Sequence, residues 1–303
     1  MKIAMVYSGD IRDNGTPFYL RFAAEQVLGP TDWFTEDPSA PDPIPEGYDF
    51  YIHVDDGRDD FSVDKIPHPW GYWVVDSHLG PEVRIKKARE ADIVWCAQKP
   101  FVEVLAKEGI KASWLPLACE PLLHCTREEL AARENRPVTE PDVDLAFVGH
   151  LNPGRLEFLD ALFRAFPNSW FAYGHFHEDM SRVYHRARLG INHAVRDDLN
   201  MRFFELASMG VPQLADERMI GMEDLGFHPG EHFIPYASTD DAIFRGGEFL
   251  DGAHPVDSGG ALALVRSAHT YHHRLCTMIE NIEQYLSLRG ESPCVPISEA
   301  SRP

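Results

Sequence analysis

Short apolar runs alternate with helix-length stretches along most of this 303-residue chain, and this repeat constrains the fold more than any single motif. Runs at Lys2–Tyr7, Tyr48–Val54, Trp70–Val75, Ile93–Ala97 and Ala112–Leu115 read as buried strands. Helices are expected between them near Phe18–Leu28, Val83–Arg89 and Phe101–Glu108. The second half repeats the scheme, with strands at Leu145–Val148, Trp170–Tyr173, Leu189–Asn192, Val211–Leu214 and His232–Tyr236. Its helices are expected at Leu156–Phe166, Glu178–Arg188 and Thr239–Leu250. Strands spaced by helices pair in parallel, because the crossover needs the helix, so the expectation is an α/β chain of doubly wound sheets. The length suits two domains, each with its own core.

The composition removes several classes of function. Hydrophobic residues make up 44% and aromatics 11%, as in globular proteins. No apolar run approaches the length that spans a bilayer, and the first strand is broken by Ser8-Gly9-Asp10 too early to be a signal peptide. The five cysteines are odd in number and have no C-x-x-C spacing, so they read as reduced cytoplasmic thiols without a disulfide frame or a zinc site. A net charge of −20 argues against nucleic acid and anionic membrane surfaces as partners, both of which favour a basic face. A small or weakly charged acceptor fits better.

The densest stretch is residues 187–216. A short strand is followed by a polar loop, a helix, a stop at Gly210 and Pro212, and a second strand. Asp198 or Asn200 is placed to cap the helix, whose free N–H groups and dipole form a natural seat for phosphate. Arg202 and Glu205, three apart, share one face; an Arg there clamps a diphosphate and a Glu accepts from ribose hydroxyls. The same spacing also serves a solvated surface pair.

Other candidates are spread along the chain. The loop from Ser8 to Pro17 has glycines but not the G-x-G-x-x-G of a dinucleotide site, and 35–47 is a Pro-rich surface loop. An apolar strand carries Asp76 and His78 to its carboxyl end, where a His beside a carboxylate serves as a general base; a helix-capping Asp with a hydrogen-bonded His is the alternative. Asp142-Val143-Asp144 has the look of a metal-binding D-x-D, but it directly precedes a buried strand, and no metal is assigned to it. Gly149 ends that strand and Arg155 enters the next helix at its start, where it can meet phosphate. His175 and His177 form an H-x-H that lacks a clear third ligand. His193 directly follows the strand that ends at Asn192.

Tyr-Trp-Val-Val-Asp-Ser-His (72–78), Ala-Asp-Ile-Val-Trp-Cys-Ala-Gln (91–98) and Trp-Leu-Pro-Leu-Ala-Cys-Glu-Pro (114–121) resemble the CgeB-like group of bacterial glycosyltransferases. So does the closing His-Thr-Tyr-x-x-Arg (269–274), and the likeness runs from about residue 70 to 275. Asp197, seven residues, Glu205 and then Leu-Ala-Ser-Met-Gly-Val-Pro are similar to the donor segment of GT-B glycosyltransferases, with Asp where many have Glu. The resemblance implies two facing Rossmann-like domains and a last helix that crosses back to the first. It implies domains of 1–125 (acceptor) and 143–268 (donor), a linker at 126–142, a crossover helix at 269–288 and a tail at 289–303. The expected reaction is metal-independent transfer of a sugar from a nucleotide diphosphate sugar, UDP-linked, without a cofactor. Gly149, Arg155, His193, Asp197, Arg202 and Glu205 would bind the donor, and Asp76 or His78 would act as base. The rival readings are a non-hydrolysing sugar-nucleotide epimerase, a non-catalytic nucleotide-sugar-binding protein and a DNA-modifying glycosyltransferase.

Overall fold

In a computed structural model that describes residues 1–7, 15–35, 44–55, 57 and 62–290, the chain forms two compact units. One comprises Met1–Leu117 with the C-terminal residues from Tyr271, the other Ala118–Thr270. The Ser8-to-Asn14 part of the first loop, most of the Pro-rich loop and the end of the tail lie outside the described residues.

The first unit contains strands β1 (Ile3–Tyr7), β2 (Asp32–Thr35), β3 (Phe50–Val54), β4 (Trp70–Val74), β5 (Ile93–Cys96) and β6 (Ala112–Trp114). They form one parallel sheet in the order β2-β1-β3-β4-β5-β6. Between them run helices α1 (Thr16–Val27), α2 (Pro81–Glu90) and α3 (Lys99–Lys107). Every residue of β1, β3 and β4 is buried, as expected of central parallel strands covered on both faces. Close packing is visible at Gly71, where a Cβ would come within 2.4 Å of the Trp95 ring.

The second unit contains α4 (Arg127–Arg133), β7 (Val143–Val148), α5 (Pro153–Ala165), β8 (Ser169–Ala172), α6 (His177–Tyr184), β9 (Ala187–Asn192) and α7 (Met201–Ser208). It continues with β10 (Gln213–Asp216), β11 (Ile234–Tyr236), α8 (Thr239–Leu250) and α9 (Ser258–Ala268). Its parallel sheet has the order β11-β10-β9-β7-β8. The last helix, α10 (Tyr271–Leu288), belongs to the first unit: Tyr271 stacks on Tyr19 of α1 at 5.2 Å, and Trp95 donates to Asn281 at 2.9 Å.

Several boundaries differ from the sequence reading. The units divide after Leu117 and Thr270, so residues 118–142 belong to the second unit and not to a connection. Within that stretch α4 is fastened by a capping box, with Thr126 and Glu129 each accepting from the other's backbone. Glu129 is further locked to Arg266 by two contacts of 2.7 Å. The helix expected to reach Arg188 stops at Tyr184, because Ala187 and Leu189 pair with Val143 and Leu145 of β7. The crossover helix expected over 269–288 begins at Tyr271, with His269 and Thr270 separating it from α9. The acids of Asp142-Val143-Asp144 form ion pairs, Asp142 with Arg186 at 2.6 Å and Asp144 with Arg188 at 3.6 Å. Cys96, Cys119, Cys125 and Cys276 are free thiols.

Candidate functional site

Because every strand of the second sheet is parallel, the loops after β7, β9, β10 and β11 emerge on one edge. Helices α5 and α7 begin there too. The start of α5 is closed by Asn152, whose side chain accepts from the Arg155 N–H at 2.9 Å. That of α7 is not: Asn200 is the N-cap residue but makes no side-chain cap, donating instead to Asn192 Oδ1 at 3.0 Å. The capping role expected of Asn200 is therefore not taken by its side chain.

One turn in, Arg202 Nε donates to Glu205 Oε2 at 2.8 Å. Its Nη1 donates to the Val148 carbonyl and to the Tyr184 hydroxyl, over whose ring the guanidinium also lies. Burial opposes the charge, but Tyr184 and Glu205 more than offset it and raise the Arg202 pKa. The side chain of Glu205 is only 3% exposed against 22% for Arg202, so the pair is no solvated surface pair. The second carboxylate oxygen faces His124 Nε2 at 3.4 Å. His124, fully buried, is pulled down to about 4 by burial in spite of Glu205.

Gly149 lies against this group, since a Cβ there would sit 3.2 Å from the Phe147 ring and 3.7 Å from Arg202 Nη1. Arg155 is its neighbour. Arg155 Nη1 donates to the His150 carbonyl at 2.9 Å and Nη2 to the His193 carbonyl at 2.8 Å, while Nε is buried without a partner. Burial, then the charge of Arg202, lower its pKa, and no carboxylate among the described residues forms an ion pair with it. Two cations thus stand close enough for one to lower the pKa of the other, and only Arg202 forms an ion pair among the described residues. That is a poor arrangement by itself and a good one for an anion.

His193 is held by its ring. It stacks on Phe158 at 4.2 Å and hydrogen-bonds Tyr236 at 2.8 Å, with Asp216 at 3.8 Å. Burial pushes it down to about 4, so it is neutral near pH 7. Asp197, by contrast, is exposed on the loop before α7 and its carboxylate has no partner among the described residues. The half-buried His175 makes a ring contact with its own loop, to the Tyr173 carbonyl at 3.1 Å.

In the first unit, Asp76 and His78 follow β4, both partly exposed. Their turn is anchored from below by Asp55, 1% exposed, which accepts from the Asp76 N–H at 3.2 Å and from Arg84 Nε at 3.2 Å. Sequence reasoning missed Asp55, Arg84, His124, Tyr184 and Tyr236. Asp55 was legible only as a strand-end acid, and the others carry no local signal.

A family model described as glycosyl transferase-like matches residues 139–280, which takes in Arg155, Arg202 and Glu205. The fold is shared with solved structures. Sucrose-phosphate synthase from Thermosynechococcus elongatus has a TM-score of 0.64 at 14% identity, over 95% of this chain and 100% of that one. The chain thus has the fold of GT-B glycosyltransferase structures, and somewhat under half of it matches a glycosyl transferase-like model. The lipopolysaccharide outer core galactosyltransferase WaaB, in its apo form, gives 0.63 at 12% identity over 93% and 99% of the two chains. Anabaena Alr3699/HepE in complex with UDP-glucose gives 0.59 at 13% over 94% and 99%. No curated protein matches this chain in sequence.

Proposed function

We propose that this chain is a glycosyltransferase that moves a sugar from a nucleoside diphosphate sugar, carried on UDP, to an acceptor hydroxyl or similar nucleophile. The observation that carries the reading is the pair of guanidiniums, Arg155 and Arg202, with Arg155 forming no ion pair among the described residues and its Nε buried without a partner. In the transfer, the bond from the anomeric carbon to the diphosphate oxygen breaks, and the acceptor oxygen bonds to that carbon. The electron pair leaves on the diphosphate, where Arg155, Arg202 and the α7 amides stabilise it. Gly149 leaves room for that group, the buried Glu205, read from spacing as a ribose acceptor, instead holds Arg202 from beneath, and the neutral His193 and the exposed Asp197 lie on the sugar side. The acceptor proton goes to Asp76 or His78 if the reaction inverts; a retaining reaction needs no such base. A neighbour of the same fold was solved with UDP-glucose, which supports the choice of UDP. We assign no metal to the step, since the acids of the one D-x-D are engaged with Arg186 and Arg188. The charge of −20 favours a small or weakly charged acceptor over nucleic acid, and the free thiols suit the cytoplasm.

Melting curves of the native chain and Arg155→Gln with UDP, GDP, dTDP and ADP test the donor site. A ligand at about one hundred times its dissociation constant stabilises by roughly 2.7 kcal/mol. A shift with UDP that Arg155→Gln abolishes is expected; no shift with any nucleotide overturns the site. Release of UDP from UDP-sugars, faster with an acceptor extract, is expected of a transferase. Epimerisation without acceptor would assign an isomerase instead, and binding without turnover a carrier protein.

A further inference from the structure

His124 is among the most deeply buried polar side chains of the second unit, and the reaction proposed above does not use it. Its ring is read from both sides. The backbone N–H of Glu120 points at Nδ1 from 3.2 Å. An amide nitrogen can only donate, so Nδ1 must be the accepting, unprotonated nitrogen. In a neutral ring the single proton is then on Nε2, the atom that faces Glu205 Oε1 at 3.4 Å. The other oxygen, Oε2, holds Arg202 Nε at 2.8 Å. The Glu205 carboxylate is therefore spanned by two donors, one from a loop before α4 and one from its own helix.

We propose that His124, as a neutral Nε2–H imidazole, is the positioning residue that fixes Glu205 and, through it, the Arg202 guanidinium of the donor site. With both oxygens held, the carboxylate cannot turn about its last bond. Arg202 is then locked through Nε and Nη1, and Nη2, which makes no hydrogen bond among the described residues, is presented to the ligand. A neutral donor does this without cancelling the carboxylate charge that Arg202 needs. A Lys or Arg at the same place would compete with Arg202 for Glu205. The link to donor binding rests on the function proposed above; the link to Glu205 and Arg202 does not.

Two substitutions separate positioning from core filling. His124→Gln keeps an N–H donor near the Nε2 position, whereas His124→Leu keeps the bulk and removes the donor. Arginine side-chain NMR, with the Arg202 Nε–H assigned through Arg202→Lys, reads the geometry without any ligand. That proton should be protected from exchange in the native chain and in His124→Gln, and exposed in His124→Leu. Histidine nitrogen NMR should show the Nε2–H tautomer with no titration from about pH 8 to about pH 5.5. UDP affinity should fall roughly tenfold or more in His124→Leu and stay within about threefold in His124→Gln. A protected Arg202 Nε–H in His124→Leu, or a ring protonated on Nδ1, overturns the proposal. Should the native chain bind no nucleoside diphosphate while Arg202 responds as stated, the donor reading fails and the positioning stands.

Discussion

Arg202 and Glu205, joined at 2.8 Å within one turn of α7, differ sharply in exposure, the guanidinium reaching the surface and the carboxylate lying beneath it. The acid is thus a buttress for the base. Glu205→Ala would leave Arg202 and the buried His124 N–H without their acceptor, so a loss of ligand binding in that variant would mix two effects. We expect Glu205→Gln to lower stability by about 1.5–3 kcal/mol, the worth of hydrogen bonds to a charged group. Urea unfolding of the two proteins measures it.

Arg155→Gln should behave in the opposite sense. Its cation is paired with no carboxylate and repelled by Arg202, so its removal should change stability by about 1 kcal/mol or less. UDP affinity should fall by one to two orders of magnitude, roughly the worth of a charge-assisted contact. Calorimetric titration beside a melting curve separates the two outcomes.

Four histidines, His53, His124, His185 and His193, are each pushed from 6.5 down to about 4, in every case first by burial. Their folded pKa values lie below the unfolded ones. The unfolded chain therefore takes up protons below about pH 6.5 that the folded chain refuses until about pH 4, and stability falls across that window. Glu120 works against them: burial raises it from 4.5 to about 7, a cost that is relieved as the pH falls from 7 to 4.5. The histidines outnumber it, so unfolding near pH 5.5 should bind about three protons net. The slope of unfolding free energy against pH checks this.

Below the Asp76 turn, Arg84 and Asp55 form an ion pair with side chains 0% and 1% exposed. Arg84→Met should cost about 3–5 kcal/mol, because it strands a buried carboxylate. Asp76→Asn and His78→Ala leave that pair intact. Both should bind UDP as the native chain does, and the one that supplies the base should lose turnover.

Most of the strands are written in runs of apolar residues, and these were legible. β2 was missed because Asp32-Trp33-Phe34-Thr35 is four residues long and only half-buried, with no apolar run to mark it. α4 was missed because its charged sequence looks like a connection until Thr126 and Glu129 are seen to close the capping box. Arg155, Arg202 and Glu205 are singled out in the sequence by their positions near helix starts. The burial of Glu205 is not legible there, since His124 meets it from a distant loop, as Tyr184 from α6 meets Arg202. Spacing along a helix gives the face a residue shares, and not what the rest of the chain lays over that face.

The chain leaves the first unit after Leu117 and returns to it only at Tyr271. Synthesis runs from the amino end, so the first sheet must wait for the whole second unit before α10 arrives to cover α1. During that interval Tyr19 lacks the Tyr271 ring it stacks upon, and Trp95 lacks its acceptor on Asn281. The second unit has no such wait. Cys119 and His269, near its two ends, meet through a backbone hydrogen bond of 3.2 Å, so it closes on itself as soon as residue 270 is made. The second unit should therefore fold before the first is complete, and a released chain cut after Thr270 would hold a closed second unit and a first unit that lacks its last helix.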